Sequence, residues 1–157
     1  MPSLYDENDL HFSYNGDLTM SDTGDLKDAS DDPLLPLKDQ IHNICMSTLQ
    51  DWEVYPGRGA GLEDFVGEPN TKTTAVLMQD RLRLALVSGG VVREEDLAIR
   101  VFPVHIHKLM AIIRVDATST AANKLNPQEK VQTALVFDTV SRQVFFLDKT
   151  PQLIPPQ

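Results

Sequence analysis

The clearest signal along the chain is a change in hydrophobic period. From Leu37 to Leu49, the positions Leu37, Ile41, Ile44, Cys45 and Thr48 make one stripe of a helix. That helix should stop near Trp52, because Pro56-Gly57-Arg58-Gly59-Ala60-Gly61 breaks regular structure. A short helical turn fits Leu62 to Val66. After Gly67-Glu68-Pro69, Asn70 can cap a second helix that runs to about Ser88 and is closed by Gly89-Gly90. The second helix carries Ala75, Met78, Leu82, Ala85 and Leu86 on its main stripe, while Leu77 and Leu84 lie nearly opposite among Asp80, Arg81 and Arg83. A loop of this chain, another element or a second protein has to cover that pair, and cover by the chain's own loops is the plainer expectation.

From Leu97 the period becomes two. Leu97 to His107 is extended, but Pro103 cannot donate to a ladder, which predicts an edge strand or a bulge there. Ala111, Ile113, Val115 and Ala117 alternate with Ile112, Arg114 and Asp116, a strand with one buried and one wetter face. Val131 to Phe137 and Gln143 to Leu147, joined by Asp138-Thr139-Val140-Ser141-Arg142, predict an antiparallel hairpin. Val144 and Phe146 point one way and Phe145 and Leu147 the other, so a sheet covered on one side would leave an aromatic patch in water. Helices gathered ahead of about four antiparallel strands predict an α+β fold.

Charge divides the chain differently. Its 157 residues are about the size of one domain. Residues 1–70 hold 15 acids and 3 bases, whereas residues 71–157 hold 8 acids and 11 bases. Residues 1–32 contain nine acids against Lys27 alone and read as an extended acidic arm, with too little apolar surface to offset its ordering entropy. Within it, His11 to Tyr14 and Asp17 to Met20 flank Asn15-Gly16, a short hairpin signal. The expected organisation is thus arm 1–32, a single α+β body 33–150, and a loose tail 151–157 rich in proline.

The net charge of -9 disfavours nucleic acid and anionic membrane surfaces, both of which select Lys and Arg. The stretch MPSLYDENDL is acidic where a secretory signal is basic and then apolar, and no apolar run approaches a membrane span. The lone Cys45 fits a reduced core residue better than a nucleophile, having no nearby base to lower its pKa. His105 and His107 share a strand face, but two ligands do not make a metal site, so neither metal nor cofactor is expected. Glu53 beside Trp52 and Glu68 in its turn are the carboxylates a glycosidase could use, and both read as solvated loop acids. Nucleophile-elbow, P-loop and dinucleotide fingerprints are missing.

The order of these segments resembles the baseplate wedge family of contractile phage tails. These are the tail sheath initiators, related to a small baseplate subunit of type VI secretion, and some members were once labelled lysozymes. The residues that carry the resemblance are Asp17-Leu18 with Gly24-Asp25-Leu26, Gln40-Ile41-His42-Asn43-Ile44 followed by Leu49, and the run from Gly61 through Glu63, Phe65, Glu68 and Asn70 to Thr71. It spans roughly residues 15–150, by order and spacing more than identity. Where members often show Glu-Pro-Arg before the first long strand, this chain has Arg93-Glu94-Glu95-Asp96-Leu97, keeping the acid without the Pro-Arg.

The resemblance implies a structural, non-enzymatic virion protein, made in the host cytoplasm and seated at the tail baseplate in a ring-like multicopy assembly. Its partners would be tail sheath protein and baseplate wedge proteins, with the acidic arm docking on a basic partner in the wedge or the tail tube. The final hairpin is the candidate template, completed by strand addition from sheath subunits. The candidate partner-binding residues are Gln143, Val144, Phe145, Phe146 and Leu147 of the hairpin, Leu77 and Leu84 of the second helix, and Glu94 and Glu95 ahead of the first strand. Two other readings stay open: a lysozyme-like cell-wall hydrolase, and an unrelated soluble assembly adaptor or chaperone.

Overall fold

The described residues of the computed structural model are 18, 20, 22–26, 35–116 and 130–147. The fold is α+β: helix α1 (Leu35–Met46), a 3-10 turn (Leu62–Phe65), helix α2 (Lys72–Ser88), a second 3-10 turn (Glu94–Asp96), then strands β1 (Leu97–His105), β2 (Lys108–Asp116), β3 (Lys130–Asp138) and β4 (Val144–Leu147). The hairpin expected around Asn15-Gly16, Ala117 of the alternating strand and the tail 151–157 lie outside the described residues. Within the arm, Met20 and Leu26 form an isolated antiparallel bridge.

The four strands form one antiparallel meander in the order β1-β2-β3-β4. Register places Val101, Ala111, Leu135 and Phe146 in one row across the sheet, with Pro103, Leu109, Phe137 and Val144 in the next. These rows form the face toward the helices. The core joins Ile41 and Ile44 of α1, Met78, Leu82 and Leu86 of α2, and Ile113, Leu135 and Phe137 of the sheet. Each such side chain contributes roughly 1.5–3 kcal/mol on full burial. The stripe expected on α2 is buried, as are Leu37, Ile41, Ile44 and Cys45 of α1, whereas Thr48 lies beyond the end of α1 and is half-buried.

The other face carries Phe102, Met110, Val136 and Phe145 in one row and Arg100, Ile112, Ala134 and Leu147 in the next. Ile112, on the side expected to be wetter, is only 8% exposed. It lies on an interior strand, where both flanking strands shield a side chain that an alternation pattern counts as outward.

Two helix boundaries differ from expectation. α1 ends at Met46 instead of near Trp52 because the chain turns back on itself. The Asp51 carboxylate accepts from the Thr48 N–H at 2.7 Å and from the Thr48 hydroxyl at 2.9 Å, which competes with continued helix. The Gly-rich loop then supplies donors to the helix end: the Ala60 N–H reaches the Ile44 carbonyl at 2.9 Å and the Gly61 N–H the Ser47 carbonyl at 3.2 Å. At the start of α2 the cap is Thr71, whose hydroxyl accepts from the Thr74 N–H, and not Asn70. Asn70 is drawn away to the sheet, where its Nδ2 donates to the His105 and Lys108 carbonyls and clamps the β1–β2 turn. At the far end of α2 the left-handed residue is Gly90, with φ of 71°.

The return of the Gly-rich loop depends on Gly59. Its φ is +138°, and a Cβ there would meet the Thr48 carbonyl oxygen at 2.4 Å and the Ser47 carbonyl oxygen at 2.8 Å. Gly57, at φ of +89°, has open space around the same position. Gly59→Ala should therefore cost about 3 kcal/mol in urea unfolding, from conformational strain together with backbone displacement, and Gly57→Ala about 1 kcal/mol from conformation alone. Equal losses for the two variants would contradict the close approach.

Candidate partner-binding surfaces

The β3–β4 turn is built by Asp138. Its carboxylate accepts from the N–H groups of Val140 at 2.9 Å and Ser141 at 3.1 Å, and these two donors hold it below the usual carboxylate range. Arg142 closes the turn in the left-handed region at φ of 64°. The Asp138 N–H then donates to the Gln143 carbonyl at 3.0 Å, which sets the phase of the ladder. Hydrogen-bonded and non-hydrogen-bonded pairs alternate in an antiparallel ladder, so Val136 and Phe145 are a bonded pair. By the same alternation Val144 and Phe146 direct their backbone groups away from β3.

The side chains of β4 divide as expected. Val144 and Phe146 face the helices and pack on the core. The Phe146 ring lies 3.9 Å, centroid to centroid, from the buried His42 of α1, whose Nε2 shares a hydrogen bond with the Thr133 hydroxyl of β3 at 3.0 Å. His42 thus connects α1, β3 and β4. Phe145, on the opposite face, is 46% exposed and Leu147 is half-buried. Gln143 is an exposed loop residue just ahead of the strand.

The two edges of the sheet are chemically unlike. On β1 the outward positions include Val101 and Pro103. The Val101 N–H is taken by Gln79 Oε1 of α2 at 3.3 Å, Pro103 has no N–H, and the register shifts between Pro103 and His105. That edge is blunted by proline, bulge and helix. Among the described elements β4 is the opposite edge, and it contains no proline.

Leu77 and Leu84 stand on the outward face of α2, 56% and 66% exposed. Among the described residues no loop covers the pair; Asp64 and Phe65 of the 3-10 turn Leu62–Phe65 line the same groove as the two leucines. The groove, of about 420 Å³, lies between that turn and α2. Asp64 Oδ2 and Arg81 Nη1, 3.2 Å apart, tie its two walls together.

Glu94 and Glu95 are exposed on the 3-10 turn that leads into β1. They lead into β1, at the opposite edge of the sheet from β4, so the structure does not bring them together with the hairpin residues. Sequence patterning passed over His42 as a support for β4 and Gln79 as a cap on β1. His42 adjoins the apolar stripe of α1, a usable hint, whereas nothing local marks Gln79.

Among the described residues, no three His, Cys, Asp or Glu side chains are grouped to hold a metal ion. Glu53 and Glu68 are both exposed. No described helix is long and apolar enough to cross a membrane. Cys45 is fully buried, and burial pushes its thiol up to about 12. No protein-family model, curated protein or solved structure matches the chain, so these surfaces are read from their own chemistry.

If the β4 side chains divide in this way, Phe146→Ala should cost about 2 kcal/mol in urea unfolding and speed amide exchange along Val144–Leu147. Phe145→Ala, on the open face, should cost under about 1 kcal/mol. A larger loss at Phe145 would reverse the assignment of faces. The Cys45 thiol gives a pH dependence with a definite sign. The unfolded thiol ionises near 9.0 and the folded one near 12, so the folded state holds the extra proton between those values and stability declines as pH rises through that window. The slope approaches about 1.4 kcal/mol per pH unit, and the difference between wild type and Cys45→Ala isolates it. Parallel stability curves above pH 9.0 would contradict burial of the thiol.

Proposed function

We propose that this protein is a structural subunit of a contractile-tail baseplate that templates tail sheath assembly by strand addition at β4 and links sheath to wedge. The observation that carries this reading is the inequality of the sheet edges. Proline, bulge and the Gln79 side chain obstruct β1, whereas β4 starts with Val144, whose N–H and carbonyl point outward. An extended segment from a sheath subunit would add main-chain bonds there, and side-chain contacts with Phe145 and Leu147 would set its register. The family resemblance supplies the sheath and wedge as partners. On this reading the acidic arm engages a basic partner in the wedge or the tail tube, and the chain performs no catalysis.

The energetics suit a multicopy ring. Each added hydrogen bond nets only about 0.5–1.5 kcal/mol, and β4 has four residues, so one joint is weak. Copies arranged around a ring hold a sheath disc through many such joints at high effective concentration.

The test adds the purified full chain to the sheath subunit of its own tail and follows ordered polymer by electron microscopy. Wild type should nucleate sheath. Val144→Pro removes an outward donor without removing a bond to β3, so it should retain the circular dichroism of wild type and lose nucleation. Equal growth with and without the protein, or with this variant, overturns the reading. Clearing of peptidoglycan that disappears in Glu53→Gln or Glu68→Gln would establish the hydrolase instead.

A further inference from the structure

A second surface, separate from β4, carries its own chemical signature. Leu77 and Leu84 are seven residues apart on α2, two helical turns, with Asp80 and Arg81 between them. This is the spacing at which one helix receives another, side chains of the incoming helix seating between the two leucines. Buried Phe65 of the adjoining 3-10 turn contributes to the lining of the groove. The charged lining is net acidic. Asp64, Glu68 and Asp80 bring three carboxylates, and Arg81, the cation among the lining residues, is engaged by Asp64.

We propose that this groove receives an amphipathic helix from a partner protein, with an apolar stripe flanked by Lys and Arg. Charge excludes the nearer candidates. The chain's own arm carries nine acids against Lys27 within residues 1–32 and would be repelled by the same carboxylates. A second copy would set Glu68 and Asp80 against themselves in a protein of net charge -9. A basic helix satisfies both features at once: its apolar residues cover two leucines that no described segment of the chain covers, and its cations pair with the carboxylate rim. The site borders α2, which packs on β1, and requires no strand addition at β4.

Phage-displayed peptides of about 16 residues, enough for roughly four helical turns, can be selected on the full-length protein. Enriched sequences should show apolar residues at three- to four- and seven-residue spacing with Lys or Arg beside them. A synthetic peptide of the enriched sequence should lose about tenfold or more in affinity on Leu84→Asp and on Asp80→Lys, and should weaken as salt is raised. Phe145→Ala, on the far edge, should leave that affinity unchanged. Leu77→Ser, at a second exposed position, gives the same reading should Leu84→Asp fail to fold. Failure to enrich any sequence, enrichment of acidic or uncharged peptides, or affinity indifferent to Asp80→Lys and Leu77→Ser overturns the proposal. Loss of sheath nucleation with peptide binding intact would separate failure at β4 from failure here.

Discussion

An open four-stranded meander has two faces and two edges, and the two helices of this chain can dry only one face. Much of the architecture follows from that constraint. Leu82 and Leu86 of α2, with Ile41 and Ile44 of α1, close the face formed by Ile113, Leu135 and Phe137. Because α2 lies toward β1, its Gln79 can reach the first strand and occupy the Val101 N–H. α1 faces β3, where His42 meets Thr133 and the ring of Phe146. The helix that closes one edge and the helix that supports the other strand are therefore different helices, and the two edges end up chemically unlike.

This division also bears on how rigid the proposed template is. β4 has only four residues, and a short strand held by ladder bonds alone is marginal in water. Its inward side chains are what keep it in place. Val144 packs on the core and Phe146 lies against a histidine that is itself oriented by Thr133. A pre-ordered edge takes an incoming segment at a lower entropic cost than one that must order on contact, since backbone fixation costs roughly 1–2 kcal/mol per residue. The tight turn before β4 acts in the same direction, because Asp138 satisfies the Val140 and Ser141 donors locally and leaves little slack ahead of the strand.

What could be read in the chain beforehand tracks how local its cause is. The α2 stripe, the α1 stripe up to Cys45, the inward positions of β2 and the β3–β4 hairpin depend on neighbouring residues, and the structure holds them where periodicity places them. The facing of Val144 and Phe146 against Phe145 and Leu147 was legible for the same reason. Misread features have distant causes. Asn70 leaves its expected cap because two carbonyls of the β1–β2 turn, far along the chain, accept from it. α1 stops early because Ala60 and Gly61 return to its end. Leu77 and Leu84 were legible as an outward pair, but whether a loop would cover them depends on where the 3-10 turn settles, and no local pattern contains that. Gln79 is the extreme case, since its role exists only once β1 lies beside α2.

The two proposed surfaces demand different kinds of partner. Strand addition at β4 reads mainly backbone, so it tolerates variation in the incoming sequence and suits a repeating lattice of identical subunits. The groove on α2, on the proposal made for it, would read side chains: two leucines at fixed spacing and the carboxylates of Glu68 and Asp80 would select a helix by both shape and sign. The first contact is permissive and gains strength from repetition, whereas the second is selective and has to act singly. A subunit that must sit at one defined location and then start a polymer needs both properties. They conflict when required of the same residues, because tightening side-chain recognition at an edge narrows what can polymerise from it. Placing them on β4 and on α2, as proposed, would remove that conflict, and the inequality of edges created by Gln79 and Pro103 would confine the permissive contact to one side of the sheet.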